Sequence, residues 1–306
     1  MSHTIKSRKE DFGLITYDSS ADKFNLIPGE NFDENKENVL SGPLTAHWAL
    51  TLRCNARCEY CYLLPVLKKV NEKEYILSRE DARGFIRSFA QSGGFRLYLT
   101  GGEPTLHPFI DEIMDYSVGN GIKVVVNTNG IKMPEKVYDA FKRTDSSLSF
   151  SLDSFVSEQH NIARRQNSFD SIIEMLKRCY DDGIDTRVIS VASRSDISFW
   201  EAFGEFLSQT GVSRWFIQAD NSKNISGIDS GLEEKLTGIL PSMRIRVIPA
   251  IYDSFLYILP DGTACSNAWG DRVVYGRVPG DSVKDIWKKN SKNGLKDYLG
   301  IIRLKN

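Results

Sequence analysis

Leu50-Thr51-Leu52-Arg53-Cys54-Asn55-Ala56-Arg57-Cys58-Glu59-Tyr60-Cys61 ends an apolar run and sets three cysteines within eight residues. His47 to Leu52 reads as a β-strand, so the cysteines fall on the loop at its carboxyl end. That rim is where α/β barrels carry their catalytic loops. Downstream, strand-like runs at Phe95–Thr100, Lys123–Thr128, Ser147–Asp153, Thr186–Ala192 and Arg214–Gln218 alternate with helix-like stretches. Ser78-Arg79-Glu80-Asp81 has the form of a capping box, opening a helix through Phe85, Ile86 and Phe89. Further helices are expected at Phe109–Val118, Pro134–Phe141, Phe169–Tyr180 and Phe199–Leu207. This α/β rhythm implies a parallel sheet with helical crossovers, open or curled into a partial barrel.

Two regions lie outside that rhythm. Phe12–Tyr17 and Lys23–Ile27, separated by Asp18-Ser19-Ser20-Ala21-Asp22, read as a β-hairpin, and Pro28 to Pro43 reads as a linker. Asp220 to Gly231 is rich in Asn, Ser and Gly, and a short helix is expected after it. Phe255–Leu259 and Thr263–Cys265 then form a second hairpin around Asp261-Gly262, with a last helix near Val283–Trp287. The expected units are 1–43 (hairpin and linker), 44–219 (barrel) and 220–306 (extension).

The chain has 306 residues, 41% hydrophobic and 26% charged, and 39 Lys+Arg against 40 Asp+Glu give a net charge of -1. This excludes a disulfide-stapled miniprotein and a disordered tail, and argues against a uniformly basic nucleic-acid binder. No run approaches the roughly 18 apolar residues of a membrane-spanning helix, and Met1 to Asp11 lacks a signal peptide's apolar core. A cytoplasmic protein without nucleic-acid or membrane partners is expected.

Five cysteines are an odd count for a disulfide framework. Cys54, Cys58 and Cys61 can ligate three corners of a cubane iron-sulfur cluster, leaving the fourth iron open to a small molecule. A zinc site is the plainer alternative, but no paired ligand pattern completes one: His47 lies upstream, and Cys179 and Cys265 are distant. Cys179 continues an apolar helical face with Phe169, Ile172, Ile173 and Leu176, and reads as core.

The CxxxCxxC pattern, with Tyr60 before its last cysteine, resembles that of the radical S-adenosylmethionine (radical SAM) superfamily, and the stations after it extend the resemblance from His47 to about Gln218. Gly101-Gly102-Glu103-Pro104 looks like the family's GGEP motif, whose glycine backbone and carboxylate meet the methionine amine. Asn127-Thr128-Asn129-Gly130 is similar to the segment bordering the adenosine. Ser151-Leu152-Asp153, followed by His160, Arg164 and Phe169, resembles the stretch whose serine and arginine hold the methionine carboxylate. Arg165 is an alternative to Arg164. Asp153 either binds ribose or substrate or caps a turn, and His160 is assigned no catalytic role. The resemblance thus implies Cys54, Cys58 and Cys61 as iron ligands. It implies Tyr60, Gly101, Gly102, Glu103, Asn127, Asn129, Ser151, Asp153 and Arg164 as S-adenosylmethionine contacts.

Leu259 to Cys265, Tyr275–Val278 and Ser282–Trp287 resemble the start of the SPASM/twitch extension of radical SAM maturases. Relatives use cysteines there for auxiliary clusters, whereas this chain has Cys265 alone. A degenerate extension and one 4Fe-4S cluster are therefore expected, with Cys265 a packed residue, a substrate contact or a hydrogen-atom donor. The resemblance implies a partial (β/α)6 barrel that cleaves S-adenosylmethionine reductively and uses a 5'-deoxyadenosyl radical to abstract hydrogen. The first substrate choice is a ribosomally made precursor peptide, crosslinked or epimerised, with a flavodoxin or ferredoxin supplying the electron. The N-terminal hairpin offers an edge for an extended peptide or packs beneath the barrel. The alternatives are a radical enzyme of small-molecule biosynthesis and a non-catalytic iron-sulfur or zinc module.

Overall fold

The computed structural model describes residues 5–61, 63, 76–192, 196–219, 230–248, 256–267, 272–290, 293–295 and 302–304. Its first strands, β1 (Ile5–Glu10), β2 (Gly13–Asp18) and β3 (Lys23–Pro28), form an antiparallel sheet. The barrel unit follows as β4 (Thr45–Thr51), α1 (Arg79–Gln91), β5 (Arg96–Gly101), α2 (Ile110–Gly119), β6 (Lys123–Thr128), α3 (Glu135–Arg143) and β7 (Ser147–Ser151). It continues through α4 (Ser157–Arg164), α5 (Phe169–Asp181), β8 (Thr186–Ala192), α6 (Ile197–Ser208), β9 (Arg214–Ala219), α7 (Ser230–Ile239) and β10 (Arg244–Ile248). The chain closes with β11 (Leu256–Ile258), β12 (Thr263–Cys265), β13 (Val274–Arg277), α8 (Val283–Lys288) and β14 (Ile302–Leu304).

The large sheet runs β10-β9-β8-β7-β6-β5-β4-β11-β12-β13, parallel from β10 to β11, with β10 and β13 as its open ends among the described residues. It is a partial barrel, as expected, with two parallel strands more than the expected six. β10 pairs with β9, and β11 pairs with β4 on the opposite side. The Asn- and Ser-rich stretch expected after Asp220 lies largely outside the described residues. Among the described residues no helix is long and apolar enough to cross a membrane.

Alternation along the strands separates two environments. Trp48, Leu97, Leu99, Val124, Val126, Phe150 and Trp215 join the main core with Phe85, Phe89, Phe141, Leu176, Trp200 and Phe203 of the helices. Ser78 caps α1 by accepting from Asp81 N at 3.1 Å, which starts the first crossover where the capping box placed it. The residues between the core positions face the barrel interior: His47, Tyr98, Asn127, Ser149, Arg187 and Phe216. A smaller core of Phe12, Ile15, Tyr17, Phe24, Leu44, Phe95, Tyr257, Cys265 and Trp287 joins the N-terminal sheet to the barrel's lower end. β14 pairs along the free edge of β3, so β1 and β14 are the outer strands of that sheet among the described residues.

Asp22, in the hairpin turn with φ +49°, plugs this lower end. Its carboxylate bonds Arg96, accepts from Arg187 Nη1 at 2.8 Å and from Tyr17 OH at 2.7 Å, and lies 3.8 Å from Arg214. Burial opposes ionisation, but the guanidiniums outweigh it and hold the carboxyl well below its usual range. Replacing Asp22 with Asn leaves arginines uncompensated in the interior. We expect the variant to lose about 3 to 5 kcal/mol in urea unfolding. Because the folded carboxyl is depressed, the wild type keeps this stability above the unfolded-state value near about 3.9 and loses it as pH falls through the folded value. Stability curves of wild type and Asp22→Asn should therefore converge toward acid, and parallel curves would refute the assignment.

Candidate active site at the carboxyl rim

Where β4 ends, the chain must turn into the cysteine loop while pressing against the end of β5. Gly102 N donates to Thr51 O at 2.8 Å, and Glu103 N donates to Arg53 O at 2.7 Å. A Cβ on Gly101, where φ is +118°, would stand 2.3 Å from Thr51 O, and one on Gly102 would stand 2.2 Å from Arg53 O. Glycine at 101 and 102 is therefore required by the protein's own backbone, whatever ligand it meets.

The Glu103 carboxylate is 1% exposed. Its Oε1 accepts from Thr105 N at 3.1 Å, Thr105 Oγ1 at 2.7 Å and Thr128 Oγ1 at 2.9 Å, and its Oε2 accepts from Asn129 N at 2.8 Å. Burial still raises its pKa above the usual carboxylate range against these donors. Asn129 in turn bonds Asn55 Oδ1 at 2.7 Å and Cys54 Sγ at 3.8 Å through Nδ2. Thr105 and Thr128 were missed in the sequence, where nothing but their nearness to the motifs marks them.

A second carboxylate stands on the other side of the loop. Asp153 accepts from Tyr60 OH, Arg164 Nε at 2.7 Å, Arg164 Nη2 at 3.3 Å and Val191 N at 2.9 Å. Two donors on each oxygen use its acceptor capacity, so in this structure the Asp153 carboxylate is held by the protein's own groups. Arg164 Nη1 reaches Cys58 Sγ at 3.7 Å, and its guanidinium carbon lies 5.5 Å from the Tyr60 ring centre. Arg165, the alternative to Arg164, is exposed and caps α4 with φ +50°. His160 is a buried brace, accepting from Asp153 N at 3.2 Å and meeting Ser168 Oγ at 2.9 Å.

Asn127 and Ser151 face the interior just below this rim, and Asn127 Oδ1 is buried without a partner. Burial pushes the Cys54 thiol up, and Glu103 and the neighbouring cysteines add to the rise although Ala56 N donates to its sulfur at 3.4 Å. Such a thiol releases its proton when a metal cation binds the sulfur. Among the described residues no three His, Cys, Asp or Glu side chains gather closely enough to hold a single metal ion. The donor set, three thiols on one loop with no fourth side chain beside them among the described residues, suits a cluster that keeps one iron for an outside ligand. The orphaned Asn127 acceptor suits a ribose hydroxyl.

His47 is stacked between Tyr98 and Tyr257, at 4.5 and 4.8 Å between ring centres, and burial with Arg96 lowers its pKa to about 3. It is a neutral interior residue, distant in role from the cysteines. Cys265 is fully buried in the lower core, donates to Asn267 O at 3.0 Å, and has a pKa pushed up to about 11 by burial. Register places it opposite Tyr257, itself opposite His47, toward the lower end and away from the rim. Hydrogen donation needs access, and this placement is that of a packed cysteine. Cys179 is fully buried in the main core.

Residues 48–195 match the family model described as the Radical SAM superfamily. The chain is 27% identical over 253 residues to the mycofactocin maturase MftC of Mycobacterium tuberculosis, covering 80% of this chain and 63% of that one. It is 33% identical over 167 residues to the antilisterial bacteriocin subtilosin biosynthesis protein AlbA of Bacillus subtilis, covering 54% and 36%. It thus spans less than two thirds of the length of either curated relative. The fold matches the crystal structure of Streptococcus suis SuiB bound to precursor peptide SuiA, with TM-score 0.76 and 14% identity over 96% of this chain and 89% of that chain. With its cysteine loop seated on the rim of an open parallel barrel, the chain carries a radical SAM domain over residues 48–195.

Proposed function

We propose that the chain is a radical SAM maturase acting on a ribosomally synthesised precursor peptide. One observation carries the site: two distant stations close on the cysteine loop, Asn129 on Cys54 at 3.8 Å and Arg164 on Cys58 at 3.7 Å. MftC, AlbA and SuiB, named as maturase, bacteriocin biosynthesis protein and binder of a precursor peptide, support the substrate class.

In this reading Cys54, Cys58 and Cys61 hold one 4Fe-4S cluster. A second cluster has little to draw on, since Cys179 and Cys265 are buried in separate cores. When bound, the cluster supplies an electron and S-adenosylmethionine the carbon radical that removes a substrate hydrogen. The chain's own residues orient and exclude. The backbone at Gly101-Gly102 and the Oε2 oxygen of Glu103, which takes one donor where Oε1 takes three, face the methionine ammonium. Ser151 and the remaining N–H groups of Arg164 face its carboxylate, Asn127 faces the ribose, and Tyr60 walls the site beside Arg164. An external flavodoxin or ferredoxin delivers the electron.

Anaerobic reconstitution should give about four irons per chain, and alanine at Cys54, Cys58 or Cys61 should abolish 5'-deoxyadenosine formation. Seven or eight irons would overturn the single-cluster assignment. Glu103→Gln and Arg164→Ala should each weaken S-adenosylmethionine binding about ten- to a hundredfold, the loss of one charge-assisted contact. Unchanged Kd values in calorimetry would remove both residues from the cofactor site. Incubation with short peptides encoded beside this gene, read by mass, tests the substrate. A two-hydrogen loss indicates crosslinking, solvent deuterium uptake without mass change in water indicates epimerisation, and turnover of a small molecule alone refutes the peptide reading.

A further inference from the structure

Each buried carboxylate of the rim grips a residue that points an N–H at a different cysteine. Glu103 holds Asn129 by its backbone N–H at 2.8 Å, and Asn129 Nδ2 donates to Cys54 Sγ at 3.8 Å. Asp153 holds Arg164 through Nε at 2.7 Å and Nη2 at 3.3 Å, and Arg164 Nη1 donates to Cys58 Sγ at 3.7 Å. We propose that Glu103 and Asp153 are positioning residues which act through Asn129 and Arg164 to place side-chain N–H···S hydrogen bonds on two cluster thiolates, and that these bonds raise the cluster's reduction potential. The inference rests on the proposed cluster at Cys54, Cys58 and Cys61.

An N–H aimed at a thiolate draws charge from the sulfur and favours the reduced, more negative cluster, which raises the potential. The effect is stronger where water is excluded, and Arg164 and Cys58 are each only 8% exposed. The pairing with Asp153 matters for two reasons. It cancels the guanidinium charge, so what Cys58 meets is a directed N–H within a neutral pair rather than a bare cation. It also fixes the guanidinium plane, since the fork engages both carboxylate oxygens. Tyr60 OH and Val191 N then anchor the carboxylate from the cysteine loop and from β8. The Asn129 arm has the same design, with its Oδ1 engaged by Ile131 N at 3.0 Å, so the amide is oriented with its nitrogen toward the sulfur.

The test is a redox titration of anaerobically reconstituted protein, followed by electron paramagnetic resonance without S-adenosylmethionine, so that no methionine contact of Arg164 contributes. Arg164→Met alone leaves Asp153 uncompensated, so the informative variant is Asp153→Asn with Arg164→Met, neutral like the native pair. Its midpoint should be more negative than wild type, and Asn129→Ser should move the same way independently. After exchange into deuterated water, Asp153→Asn alone should lose the same exchangeable-proton coupling to the cluster that Arg164→Met loses. Wild-type midpoints in both the double variant and Asn129→Ser would overturn the proposal. If the double variant takes up no iron, Asn129→Ser decides. Wild-type protein that assembles no 4Fe-4S absorption would instead refute the cluster itself, and the inference with it.

Discussion

Two backbone hydrogen bonds, Gly102 N to Thr51 O and Glu103 N to Arg53 O, determine where the rim stands. They fasten the turn out of β4 onto the turn out of β5, and their closeness is tolerated because residues 101 and 102 have no Cβ. The cysteine loop begins one residue after Arg53. Its first sulfur is therefore set by the same contact that sends Glu103 inward to Thr105, Thr128 and Asn129. The GGEP segment is first a joint between neighbouring strands, and its nearness to any ligand follows from that joint.

The barrel carries buried carboxylates at both ends, used in opposite ways. At the rim Glu103 and Asp153 accept from neutral donors and one arginine, and the positive side of each arrangement is turned toward sulfur. At the lower end Asp22 stands among Arg96, Arg187 and Arg214, with Asp185 also bonded to Arg214. Removing one partner from such a set costs far more than the set contributes over apolar packing, because the remaining charge is left in a medium that cannot solvate it. The lower cluster thus makes the N-terminal hairpin part of the barrel: the residue that neutralises the arginines belongs to the hairpin's turn.

Much of this was legible in the sequence because it is local. Strands β4 to β9 and the helices between them other than α4 follow from alternation and capping, and the Asp261-Gly262 turn is confirmed with φ +85° at Gly262. The strands that escaped are β1, β10, β13 and β14. β1, Ile-Lys-Ser-Arg-Lys-Glu, is dominated by polar and charged residues, and β11, although expected as a hairpin strand, is three residues long, so its pairing with β4 has no local signal. α4 is largely polar and was hidden inside a motif. The site divides in the same way. Motif positions are chain-local, but their partners lie 75 residues apart for Asn129 and Cys54, 93 for Tyr60 and Asp153, and 106 for Arg164 and Cys58. No periodicity encodes such pairings, which is why Asp153 reads as a ligand or a turn cap in the sequence and meets four protein donors in the fold.

The C-terminal extension is held to the barrel without the cysteines that the resemblance attaches to such a segment. β11 covers the edge of β4, the strand that feeds the cysteine loop, and an uncovered edge there would leave its backbone groups open to a stray strand. The turn into β12 requires glycine at 262, where a Cβ would meet Val278 O at 2.2 Å. Beyond β13, α8 is anchored by Val283 N to Ser88 Oγ at 2.8 Å and by Trp287 Nε1 to Leu40 O at 2.8 Å. The extension therefore ties α1, the linker and the barrel edge together by packing and by hydrogen bonds of backbone and side chains. Cys265, in the lower core with Tyr257 and Trp287, serves that packing. Its cover of β4 beside the cysteine loop depends on strand pairing and needs no further thiol.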